Sequence, residues 1–213
     1  MEKMRKRITQ LAAVVLLLAM MMSTATFAVS FTDTSGHWAE KYIKQAAERK
    51  LIEGYLGKYR PNDRMTRAEF VTVLWRASGE PKAAKPSTFT DLTQTWYKDA
   101  IAWAQEKKVI EGVGYGKFNP DGWITREQVA TILHRQAGLP MDGFMFWQFY
   151  AGYSGDNQIS DYAKNAVHWA IYKSIYCGEA VVKVNSGTPL KPTEPATRGQ
   201  VAVMMVQYLD RVK

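Results

Sequence analysis

Apolar residues recur every three to four positions in six stretches of the chain, which is the spacing of the buried face of an amphipathic helix. The first helix of each predicted pair has an alanine-containing stripe: Ile43, Ala46, Ala47 and Leu51; Ile101, Ala104 and Val109; Val167, Ala170, Ile171 and Ile175. The second helix has a bulkier stripe: Phe70, Val73, Leu74 and Ala77; Val129, Ile132 and Leu133; Val201, Met204, Met205 and Tyr208. The pattern predicts three helix–loop–helix units.

Each predicted second helix begins with a related tetrad, TRAE at 66–69, TREQ at 125–128 and TRGQ at 197–200. A Thr three residues before Glu or Gln predicts a capping box. The cap does not explain the arginine, because a cation at the first helical position meets the positive end of the helix dipole. Three equivalent arginines therefore predict an anionic partner, bound by the guanidinium groups and the exposed N–H groups: Arg67, Arg126 and Arg198.

Glycines punctuate the three units at equivalent places. Gly54, Gly112 and Gly178 follow the first helices and are predicted to end them as C′ residues. Gly79 and Gly138 are predicted to end the first two of the second helices. Units of this size cannot bury enough apolar surface alone, so they must share a core. We expect a closed, roughly threefold arrangement, because the capping units and uniform twist of an open solenoid are not evident.

Taken in order, the motifs resemble S-layer homology (SLH) repeats: Phe-x-Asp, Trp-Ala, an Ala-rich helix, Gly, a loop with Gly and Pro, and Thr-Arg-Ala-Glu. The resemblance implies SLH repeats at 29–85 and 86–142 and a divergent third repeat at 143–213. It also implies a mainly α fold, in which the three repeats form a pseudo-threefold spindle with a shared central helix bundle.

The same resemblance implies a function. Grooves between neighbouring SLH repeats hold the secondary cell wall polysaccharide of Gram-positive-type envelopes, which often carries ketal-linked pyruvate. The ligand-binding residues carried over by motif are Asp33, Trp38, Gly54 and Arg67 in repeat one, Asp91, Trp96, Gly112 and Arg126 in repeat two, and Tyr162, Gly178 and Arg198 in repeat three. Repeat three has Tyr162 at the Trp position, lacks the acid of Phe-x-Asp and has a longer loop after Gly178, so its groove is expected to be weak.

Structural alternatives stay open for each of these residues. The arginines could form ion pairs with an acid of a neighbouring repeat, the tryptophans could pack in the core, and the aspartates could be turn or cap residues. The aromatic run at 144–150 either packs against neighbouring units or, in a protein that has lost glycan binding, contacts a protein partner. Glycan binding and protein binding thus remain the two candidate classes.

Composition adds a compartment to this picture. Residues 1–28 combine a basic start, an apolar stretch and small residues before Ala28, which predicts a cleaved signal peptide and no transmembrane segment in the mature chain. The chain has 28 basic and 20 acidic residues, and the mature part would keep an excess of five positive charges. The predicted location is therefore outside the cell, on the cell wall or in the S-layer, where an anionic polysaccharide fits and nucleic acid does not.

No catalytic, metal or cofactor site is predicted. His37, His134 and His168 share no metal-ligand spacing, and Cys177 is the sole cysteine, so it cannot form an internal disulfide. Glu53 and Glu111 invite interpretation as a glycosidase pair, but they occupy the same position in two repeats. Since the repeats account for nearly all of the sequence after residue 28, we expect a non-catalytic protein.

Overall fold

The computed structural model describes residues 30–139, 155–176 and 189–212. The predicted signal peptide, the aromatic run at 144–150, Cys177 and Gly178 lie outside these residues. Within them, no helix has the length and apolar character needed to cross a bilayer.

The described part of the chain is helical and contains no strand of a sheet. Two short 3₁₀ turns, Asp156–Gln158 and Asp161–Ala163, precede the fifth helix. The α-helices are α1 (Glu40–Glu48), α2 (Arg67–Ala77), α3 (Lys98–Glu106), α4 (Arg126–Gln136), α5 (Lys164–Tyr172) and α6 (Arg198–Arg211). The predicted mainly α class and the three helix pairs are confirmed.

All three predicted capping boxes are present. Thr66, Thr125 and Thr197 each accept a hydrogen bond from the backbone N–H three residues on, and the Glu or Gln side chain there returns a bond to the Thr backbone. Two orphan N–H groups are satisfied at each helix start. The tetrads therefore fix where α2, α4 and α6 begin.

The prediction for the glycines is right for Gly79 and Gly138, wrong for Gly54 and Gly112, and untested for Gly178. Gly79 and Gly138, with φ of 85° and 71°, follow the ends of α2 and α4 as C′ residues. Helix α1, however, ends at Glu48, six residues before Gly54. There the left-handed residue is Lys50 (φ 57°), and Lys108 (φ 58°) has the same place after α3. Glycine is needed in these loops for a different reason, which the site geometry gives.

Each first helix packs against the second helix of the preceding unit. Helix α3 contacts α2, α5 contacts α4, and α1 closes the circle by contacting α6. The recurring alanines of the first helices, Ala46, Ala104 and Ala170, are completely buried, as expected where helices cross closely. These contacts confirm a closed arrangement, whereas the spindle outline and the central bundle stay predictions.

A ring of backbone hydrogen bonds joins the three units just before their tetrads. The N–H of Met65 donates to the carbonyl of Ala196 (3.0 Å), that of Ala196 to Ile124 (2.8 Å), and that of Ile124 to Met65 (3.0 Å). Each of these buried residues gives and accepts one bond, so the ring satisfies its own polar groups.

His134 on α4 generates a prediction about acid stability. Its ring is 1% exposed, packs edge-on against Trp169 with centroids 5.1 Å apart, and has no hydrogen-bond partner for either nitrogen among the described residues. Burial, with a smaller contribution from Arg135, lowers the pKa of His134 to about 4. The unfolded chain therefore binds this proton first, so stability falls as the pH drops from about 6.5 towards 4.

We expect His134→Leu to lose less stability than the wild type between pH 7 and pH 4.5 in urea unfolding. His37→Gln, which removes a partly exposed histidine, is the matched control. An unchanged pH dependence in His134→Leu would contradict this assignment.

Candidate functional site

Two grooves of about 280 Å³ lie between the units, and they are built from equivalent positions. Each combines the tetrad arginine of one unit, the loop and second helix of the next, and an aromatic residue of the third. Groove A is defined by Arg198, Gly54, Glu69, Thr72, Arg76 and Trp96. Groove B is defined by Arg67, Gly112, Gln128, Thr131, Arg135 and Tyr162.

The tetrad arginine of groove B crosses from unit one into the loop of unit two. Arg67 is only 6% exposed, and its guanidinium lies 4.5 Å from the ring centroid of Phe118. Its Nε donates to the carbonyl of Phe118 (2.9 Å) and its Nη2 to the carbonyl of Glu111 (3.0 Å). The sequence predicted a negative partner for this arginine. Within the protein, that partner is a pair of carbonyl oxygens in the neighbouring unit.

Arg198 makes the same crossing from unit three into unit one. Its Nε donates to the carbonyl of Tyr59 (2.8 Å), its Nη2 to that of Glu53 (3.2 Å), and its Nη1 to Oε1 of Glu69 (3.1 Å). The alternative of an ion pair with a neighbouring acid is therefore confirmed for this arginine.

Arg126 completes the circle from unit two into unit three. Its Nε donates to the carbonyl of Leu190 (3.2 Å), and its Nη2 contacts the carbonyl of Lys191 and the carboxylate of Glu194. Arg67, by contrast, has no acid within salt-bridge distance in the described part of the chain.

One residue makes the electrostatics of the two grooves unequal. Glu69 in groove A uses Oε2 to accept from the N–H of Thr66 (2.8 Å) and still has Oε1 for Arg198. Gln128 in groove B uses its only oxygen to accept from Thr125 (3.1 Å). Its remaining NH₂ is a donor, which cannot pair with Arg67. Burial lowers the pKa of Arg67, but an arginine stays charged, and its Nη1 has no hydrogen-bond acceptor among the described residues.

A second arginine stands on the helix wall of each groove. Arg76 pairs with Glu53 (3.1 Å) in groove A, and Arg135 pairs with Glu111 (2.9 Å) in groove B. The two acids thus serve separate grooves, which is incompatible with their interpretation as one glycosidase pair. Sequence analysis missed these arginines, although both follow a tetrad arginine by nine residues and that recurrence was visible.

The loop glycines are required by a close backbone approach. A Cβ on Gly112 would lie 2.5 Å from the carbonyl oxygen of Lys117 and 2.8 Å from the Phe89 ring. A Cβ on Gly54 would lie 2.4 Å from the Phe31 ring. The aromatic residue of Phe-x-Asp therefore packs directly against the glycine, and the loop folds back over it without a side chain between them.

Two of the three predicted aromatic residues line the grooves. Trp96 and Tyr162 are each about half exposed, in grooves A and B respectively. Core packing alone does not account for them. Trp38 is 37% exposed beside His37 and lines neither groove.

Tyr162 is held by a buried carboxylate that sequence analysis did not single out. Glu127 is 4% exposed and accepts from the Tyr162 hydroxyl (3.0 Å) and from the Ser160 N–H (3.0 Å) and hydroxyl (2.8 Å). Burial and the adjacent Glu127 raise the pKa of Tyr162, so the phenol stays protonated and donates. No repeat pattern pointed to Glu127, because units one and three have Ala68 and Gly199 at that position.

The two aspartates of the Phe-x-Asp motifs lie outside the linings of both grooves. Asp33 accepts from the N–H groups of Tyr59 and Arg60 (both 2.8 Å), and Asp91 does the same with Phe118 (2.9 Å) and Asn119 (2.7 Å). Partial burial by itself would raise the pKa of each aspartate, but these N–H groups outweigh it and the pKa lies below its usual value. The turn role left open by the sequence is confirmed for both.

The structure thus brings together six of the predicted site residues, three in each groove: Arg198, Gly54 and Trp96, and Arg67, Gly112 and Tyr162. Arg126 and Trp38 belong by equivalence to the third junction between units. Gly178, the glycine predicted at the equivalent position of unit three, lies outside the described residues. At this third junction, the residue equivalent to Arg76 and Arg135 is Gln207, whose side chain donates to the hydroxyl of Tyr42 (3.4 Å).

Comparison with known proteins agrees with this architecture. Residues 30–71 and 88–130 match the family model described as the S-layer homology domain. The exoglucanase XynX of Acetivibrio thermocellus is 30% identical over 86% of this chain, the surface-layer 125 kDa protein of Lysinibacillus sphaericus 27% over 85%, and the S-layer protein sap of Bacillus anthracis 35% over 49%. The chain spans only 16%, 15% and 13% of these relatives, respectively.

The chain therefore belongs to the S-layer homology family, and these similarities support a cell-wall anchoring module associated with the cell surface of a Gram-positive-type bacterium. The two matched segments fall in the first two units. The assignment of 143–213 as a third SLH repeat stays a prediction.

The close packing around the loop glycine can be tested by a substitution that adds one methyl group. Gly112→Ala should destabilise the protein by about 1–3 kcal/mol in chemical unfolding, because the backbone carbonyl of Lys117 cannot move away cheaply. Gly122→Ala is the control, since its new Cβ would meet only the exposed side chain of Asn119, which can rotate. Equal losses in the two variants would contradict the role given to the glycine.

Proposed function

We propose that this protein is a non-catalytic module that binds an anionic secondary cell wall polysaccharide in grooves A and B and so attaches non-covalently to the wall. The observation that carries the proposal is the guanidinium of Arg67. Among the described residues it has no acid partner, and it faces groove B between a second arginine and a half-exposed aromatic ring. The neighbouring loop uses its Nε and Nη2, whereas its Nη1 has no acceptor among those residues.

The chemistry of the grooves suits a sugar that carries a carboxylate, such as a pyruvate ketal. Arg67 and Arg135 would donate charge-assisted hydrogen bonds to the carboxylate. Tyr162, and Trp96 in groove A, would offer a flat apolar face to the sugar ring. A volume of about 280 Å³ is small for a ligand site, which favours one or two sugar units in each groove.

Individually modest sites would still give firm attachment. A polysaccharide presents its repeating unit many times, so a chain held in groove B raises the effective concentration of the next units near groove A. The rival function, binding of a protein through the aromatic run at 144–150, depends on residues outside the described ranges and gains no support here.

Wall binding can be tested with variants that spare the core. Alanine at Arg67 or Arg126 would leave buried carbonyl oxygens unsatisfied, so Arg76→Gln and Arg135→Gln, on the groove walls, are the better choice. In co-sedimentation with purified walls, binding should require the polysaccharide. The affinity for the wall should be roughly tenfold lower in the double variant than in the wild type. Arg49→Gln, which removes a surface ion pair with Asp210, is the control. Wall binding that survives removal of the polysaccharide would overturn the proposal.

The inequality of the grooves gives a second, nearly isosteric test. Gln128→Glu gives groove B the residue that groove A has at the equivalent position. It keeps the capping box and places a carboxylate beside Arg67. We expect it to weaken binding of the isolated polysaccharide roughly tenfold, and Glu69→Gln to strengthen it. Isothermal titration at two salt concentrations measures both. A change of the same sign in both variants would contradict the electrostatic role of this position.

A further inference from the structure

A second cavity adjoins groove A. It has a volume of about 420 Å³, lies beside Trp123 and shares Arg60, Glu69 and Arg198 with groove A. The ion pair between Arg198 and Glu69 forms the common wall of the two spaces. A ligand longer than groove A can therefore pass this ion pair and enter the neighbouring cavity, here named the Trp123 pocket, without leaving the surface.

Trp123 has no evident structural reason to be tryptophan. Its backbone is bridged to Thr66, but its side chain is 50% exposed. The equivalent positions in the other units hold Arg64 and Pro195, so the repeat does not require an aromatic residue there. An indole on a backbone held by its neighbour offers a fixed, flat apolar face.

The charge around the pocket favours an anionic occupant. Arg60 pairs with Asp63 (3.5 Å) and Arg198 with Glu69 (3.1 Å). Arg64 is exposed and has no acid within salt-bridge distance in the part of the chain that the structure describes. The lining therefore combines one aromatic platform with one uncompensated cation, which is the combination found in groove B.

We propose that the Trp123 pocket is a second saccharide subsite, which holds the unit of the anionic polysaccharide adjacent to the unit in groove A. This inference rests on the proposed function. It also makes the two grooves differ in kind. Pro195 takes the place of Trp123 beside groove B, where it is bridged to Thr125, so the extension belongs to groove A. The groove with the neutralised arginine gains a longer contact, and the groove with the unpaired arginine has the stronger charge.

The test compares a long and a short probe in the Arg135→Gln background, in which groove B is weakened. The long probe is the polysaccharide released from purified walls, and the short probe is the methyl glycoside of a hexose that carries one pyruvate ketal. Trp123→Ala should lower the affinity for the polysaccharide roughly tenfold and leave that for the short probe within about twofold. Trp123→Phe, which keeps an aromatic face, should stay within about threefold of its parent for both probes.

Each other outcome rejects the subsite in a distinguishable way. If Trp123→Ala leaves polysaccharide affinity unchanged while Arg76→Gln lowers it, the subsite is wrong and the proposed function stands. If Trp123→Ala weakens both probes equally, the residue acts only by shaping groove A. If the wild-type protein binds neither probe, the proposed function and the subsite both fail. Thermal unfolding of every variant verifies that the fold is kept.

Discussion

The structure depends on a guanidinium group that crosses from each unit into the next. A buried charge is costly unless it is hydrogen-bonded, and Arg67 meets most of this cost through its Nε and Nη2, which donate to carbonyl oxygens of the neighbouring loop. Those oxygens converge only when the loop is folded. Asp91 therefore has to hold the loop backbone, and Gly112 has to let it turn over Phe89. The tetrad arginine, the aspartate and the glycine thus depend on one another, and the same combination supports groove A through Arg198, Asp33 and Gly54.

The same crossing shapes the two grooves that are proposed to bind the ligand. Because each groove takes its arginine, its loop and helix, and its aromatic ring from three different units, no single unit contains a complete groove. The proposed binding therefore requires the closed circle, which the contact of α1 with α6 completes. A ligand that contacts all three units would in turn stabilise the closed form, since it binds the folded protein only.

Near-identical geometry does not make the grooves equivalent. The exchange of one oxygen in Glu69 for one nitrogen in Gln128 decides whether the arginine is neutralised within the protein. A second difference lies at the equivalent positions Trp123 and Pro195. Trp123 beside groove A lines the adjoining cavity of the proposed subsite, and groove B has Pro195 in its place. In a repeat protein such small differences fall on a constant framework, which is why they can be attributed to single atoms.

Local pattern determined the helices, their capping boxes and the repeat, because helical periodicity and capping are interactions between residues within about four positions. It also pointed to Arg67, whereas Tyr162 was named only through the resemblance to SLH repeats. It misjudged Gly54, since a clash with Phe31 depends on a contact 23 residues away that spacing cannot reveal. Tertiary structure alone decided that Arg198 reaches Glu69, that Glu127 holds Tyr162 and that Trp123 faces an open cavity. Each of these features involves residues of different units, so it depends on how the units are arranged in the closed circle.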